Sequence, residues 1–102
     1  WQMRFMKKVR GLEKILTDQA NPDRFIEENE KLLQRLKSGY NRAMIKINLS
    51  AGYSEKEDFA AAKNVLLSIS VKHVQGANRV IYYLNLALTH FRLDENEEAL
   101  KI

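Results

Sequence analysis

Cysteine is absent from the 102-residue chain. That excludes disulfides, thiolate metal sites and a cysteine nucleophile. Proline occurs once, at Pro22, and glycine four times, too few to punctuate the many turns of a β-sandwich or barrel. The two histidines, His73 and His90, are far apart, and no carboxylate stands at a ligand spacing, so no metal site is expected. There is no G-x-S-x-G, no glycine-rich phosphate loop and no paired-carboxylate arrangement, so neither catalytic residues nor a cofactor are expected. No apolar run approaches the roughly 18–20 residues of a membrane span, and no signal-peptide apolar region is present. With the missing cysteines, these absences favour a cytoplasmic setting. The chain begins at Trp1 without an initiator Met and stops at Ile102 inside an apparent helix, which reads as a piece of a longer protein.

What remains is rich in helix formers. Hydrophobic residues make up 45% and charged residues 29%, with a net charge of +4. This length and balance predict one all-α domain over residues 1–102. The basic excess is concentrated in the first segment, where Arg4, Lys7, Lys8, Arg10 and Lys14 stand against Glu13 and Asp18.

Periodicity divides the chain into about six helical segments. Over 2–17, Trp1, Phe5, Val9, Leu12 and Leu16 share one face. Asn21-Pro22 is a helix start, because Asn accepts an exposed backbone N–H and Pro has no N–H to leave unpaired. The helix it opens runs to about Ser38, with Phe25, Ile26, Leu32, Leu33 and Leu36 inward, and Gly39 is a stop or soft joint. Residues 40–51 are expected to bury Tyr40, Ala43, Met44, Ile47 and Ala51, with Gly52 ending the helix. Ser54-x-x-Glu57 reads as a capping box for a helix burying Phe59, Ala62, Leu66 and Ile69. Residues 69–74 alternate like a strand, but no partner strand exists, so helix end or coil is expected. After Gln75-Gly76, residues 78–93 form a helix with Val80, Tyr83, Leu84, Ala87 and Phe91 at helical spacing. Asp94-x-x-Glu97 is expected to turn the chain and open a last helix.

Tyr83, Leu86, Ala87 and Ala99 carry the spacing large-x2-Leu-small, then Ala twelve residues on. This resembles the tetratricopeptide repeat, in which a small residue on the first helix of a hairpin lets the second approach closely. Ala87 replaces the usual Gly, His90 a common Tyr, and Asp94 a frequent turn Gly. Residues 78–102 are similar to one repeat with its second helix cut short. Residues 40–72 are similar to a degenerate copy, and 1–38 read as an N-terminal helical hairpin. The resemblance implies antiparallel hairpins stacked as a short right-handed superhelix or bundle. It also implies a non-catalytic scaffold or adaptor that binds a peptide or helix of a partner protein in a groove. Asn85 falls on the groove position of the first helix, and Arg42 is its counterpart in the degenerate copy. Tyr82, Thr89 and Lys46 complete the candidate partner-binding set. Self-association through exposed terminal helices is a further expectation. The rival reading is a basic helical module, using the N-terminal helix on nucleic acid or an anionic membrane surface.

Overall fold

The computed structural model describes residues 2–17 and 20–101, with side chains over 4–15 and 20–94. Trp1 and the side chain of Leu16, both expected on the first apolar stripe, lie outside the described residues. The described chain is all-helical: α1 (Gln2–Thr17), α2 (Pro22–Arg35), α3 (Gly39–Glu55), α4 (Phe59–Leu67), a 3-10 turn (Val71–His73) and α5 (Ala77–Lys101). Among the described residues no helix is long and apolar enough to cross a membrane.

Capping residues set the helix starts. Asn21 Oδ1 accepts from Arg24 N at 3.2 Å, and Pro22 fills the first turn of α2. Ser38 caps α3, and Asp58 Oδ1 caps α4 by accepting from Ala61 N at 3.2 Å. The capping box expected at Ser54 is not formed, because Ser54 lies inside α3. There the helix closes with Asp58 N on Tyr53 O and Glu57 N on Ser54 O, both at 2.9 Å, and with Glu57 at φ 61°. This is the glycine-type C-terminal motif, made with a glutamate. Gly52 therefore does not end α3. It is buried where α2 comes closest: a Cβ on Gly52 would lie 2.8 Å from Ile26 Cγ1 and 2.9 Å from Phe25 Cδ1.

Successive helices run antiparallel. Phe25 meets Gly52 while Arg42 reaches back to Leu36, and Lys46 meets Ser68 while Gly39 meets His73. Each helix packs on its chain neighbour, and α5 packs on α3 as well as α4. The stack is elongated, 52 × 32 × 21 Å with a radius of gyration of 14.0 Å, against about 13 Å for a compact domain of this length.

α3 separates two cores. Ile45 and Leu49 join Phe5, Val9, Leu12, Ile15, Phe25, Ile26, Leu32 and Leu36 on one side. Ala43 and Ile47 join Leu66, Ile69, Val74 and Tyr82 on the other. A helix covered on two sides has no single apolar stripe. That is why Ile45 and Leu49 escaped the periodicity; Tyr40, expected inward, lies in the first turn of α3 and is 50% exposed.

The larger correction concerns α5. No turn forms at Leu93–Asp94, and the backbone stays helical from Ala77 to Lys101. The residues that recur at helical spacing, Val80, Tyr83, Leu84, Ala87 and Phe91, are all exposed. Tyr82, Leu86 and Thr89 on the opposite face make the contact with the bundle. The two corrections share one cause. A second helix folding back after Asp94 would cover the Tyr83–Ala87 stripe, and a continuous α5 leaves that stripe open.

Candidate functional site

The five residues expected to line one groove fall into two separate environments. Tyr82 is 4% exposed among Ala43, Ile47, Leu66, Ile69 and Val74. Thr89 is 1% exposed, and its hydroxyl donates to Leu86 O at 2.9 Å. Both are core residues and present nothing to a ligand. Asn85, half-buried, lies between this face and solvent.

Arg42 and Lys46 sit one turn apart on α3, half-buried, and reach opposite ways. Arg42 Nη1 donates to Leu33 O at 2.7 Å and Leu36 O at 3.1 Å, capping the C-terminal end of α2. Lys46 Nζ approaches Ser68 O, at the end of α4, at 3.4 Å. Unpaired carbonyls at a helix end and the negative pole of its dipole both favour a cation there. The two cations line a pocket of about 300 Å³ with Gly39, Ser68, Ser70 and His73. None of Tyr82, Asn85 or Thr89 borders it.

The feature whose exposure the sequence reading did not foresee is the outer face of α5. Val80, Ile81, Leu84, Leu88 and Phe91 recur at helical spacing and are 42–64% exposed. Tyr83 flanks them at 47%, its ring edge-on to Tyr82 with centroids 5.1 Å apart. Arg92, at the edge of the stripe, lies over the Phe59 ring at 5.8 Å. The signal was present in the sequence: α5 has apolar residues at i, i+4, i+8 from Val80 (Leu84, Leu88) and a second, poorer stripe of Tyr82, Leu86 and Thr89 on the other side.

The basic residues of α1 are exposed, and Phe5 between them is 4% exposed in the core. Arg4 and Lys8 face Arg35 across a shallow cleft of about 240 Å³ floored by Phe5, Leu32 and Leu36. Compared with family models, with curated proteins and with solved structures, the chain matches none.

Proposed function

We propose that the chain is a non-catalytic interaction module, of the scaffold or adaptor kind, that docks a helix of a partner protein along the outer face of α5. One observation carries the reading: five large apolar side chains form a stripe on the solvent side of a helix whose other side is already in the core. Contiguous exposed apolar patches of this kind mark protein contacts. The stripe spans about three helical turns, the length over which helix-on-helix docking reads its anchors. In this reading α1–α2 and α3–α4 stack as hairpins of a tetratricopeptide-like superhelix. α5 then follows as a single helix whose outer face lies where the next helix of such a stack would sit. The binding surface is thereby moved from the groove expected around Tyr82 and Thr89 to the opposite side of the same helix.

The rival reading, a basic module for nucleic acid or anionic membrane, is supported by the Arg4–Lys8–Arg35 cluster. Among the described residues no exposed aromatic stands beside those cations. Partner recovery with Leu84→Glu/Phe91→Glu, set against Lys7→Glu/Lys8→Glu/Arg10→Glu, separates the two. Loss confined to the α5 variant supports docking on α5. Loss confined to the charge-reversed variant overturns it.

A further inference from the structure

Arg42, Lys46 and His73 line one pocket without any carboxylate among its lining residues. Arg42 and Lys46 are four residues apart on one helical face, where like charges repel. Their contacts with helix-end carbonyls employ only Nη1 of Arg42 and one long approach of Lys46 Nζ. The Nε and Nη2 donors of Arg42 and further protons of the Lys46 ammonium remain for another acceptor. The guanidinium is held in place by its two carbonyl bonds. The imidazole is seated by the bare backbone of Gly39, where a Cβ would lie 2.6 Å from His73 Cε1 and Nε2, and by the edge-on ring of Tyr40 at 5.3 Å. Ser70 adds a hydroxyl-bearing residue to the lining, while the Ser68 hydroxyl already donates to Val65 O at 2.6 Å.

A guanidinium held in place, an ammonium with spare protons, further N–H donors, a nearby serine and no lining carboxylate are the recognition chemistry of a tetrahedral oxyanion. We propose that this pocket binds a phosphate group, either free phosphate or the phosphate of a small monoester such as phosphoserine. This is independent of docking on α5, since no residue of the α5 stripe borders the pocket.

The test is an amide chemical-shift titration of the intact chain with inorganic phosphate and with phosphoserine, at matched ionic strength, with acetate as control. The expected result is saturable shifts confined to residues 39–46 and 68–73, with a dissociation constant of about 1 mM. Lys46→Gln and His73→Gln each weaken binding by about fivefold or more while the melting temperature holds. Arg42→Gln also removes the α2 cap, so the other two variants carry the decision. Equal affinity for the two ligands assigns the free anion, and tighter phosphoserine binding assigns the ester. Shifts that acetate reproduces, that centre on α1, or that persist unchanged in Lys46→Gln and His73→Gln would overturn the site.

Discussion

Tyr82 and Leu84 stand two residues apart on α5 and face opposite ways, Tyr82 4% exposed and Leu84 64%. Removing the first opens a cavity in the core between α3, α4 and α5, whereas removing the second takes away atoms that water already surrounds. Tyr82→Ala is expected to cost about 3 kcal/mol in urea unfolding. Leu84→Ala is expected to stay within about 0.5 kcal/mol of the parent. An inward-facing stripe on α5 would reverse that order.

Two glycines give opposite responses to the same substitution. Gly52→Ala forces a methyl against Ile26 Cγ1 and Phe25 Cδ1, and the displaced helix costs about 1–3 kcal/mol. Gly11 sits exposed in α1 with nothing within 4 Å of an added Cβ. Gly11→Ala therefore gains about 1 kcal/mol from helix propensity alone. Thermal melts of the two single variants check both signs.

Glu57 closes α3 with a positive φ of 61°, a conformation that a side chain disfavours and glycine accepts. Glu57→Gly should raise stability by about 0.5–1 kcal/mol. Glu57→Val, branched at Cβ, should lower it; equal melting temperatures for the two variants would show that the αL turn is not the populated one.

The Tyr53 hydroxyl donates to Glu30 Oε1 at 3.1 Å. Burial first, and then this bond to a carboxylate, push the phenol above its ordinary value of 10.0. The neutral form is thus favoured in the folded state. Its contribution is complete below pH 10 and is lost as pH rises through the higher folded value. Lys31, beside Glu27 and Glu28, and Lys56, beside Asp23, are also shifted upward and act in the same sense. Urea midpoints should therefore fall on the alkaline side of pH 10. Tyr53→Phe should flatten part of that fall and leave the salt-bridge part; an unchanged alkaline limb would contradict the assignment to Tyr53.

The first two helices and α4 were legible in the sequence because each buries one stripe: Phe5, Val9 and Leu12; Phe25, Ile26 and Leu32; Ala62 and Leu66. Asn21 also announced its own cap. α3 was read for one face only, since a helix lying between two cores has buried residues on both sides and little periodic contrast. α5 was read in mirror image. Its richer stripe, Val80–Leu84–Phe91, lies outside, and the poorer one, with Tyr82 and a buried Thr89, lies inside. Local pattern counts apolar residues but cannot say which of two faces the rest of the chain will cover. The pocket around Arg42 was half legible. Arg42 and Lys46 were singled out, but the capping of α2 by Arg42, the reach of Lys46 to Ser68 and the seat of His73 on Gly39 depend on contacts up to 34 residues apart.

The absence of cysteine permits a direct test of the two faces of α5. Leu84→Cys and Tyr82→Cys, each the only thiol in its chain, can be labelled with a maleimide under native conditions. Position 84 is expected to react at nearly the rate of an unfolded control. Position 82 should react about 100-fold more slowly, limited by opening of the core. Equal rates, or faster reaction at position 82, would contradict an outward apolar stripe and with it the docking surface proposed for this chain.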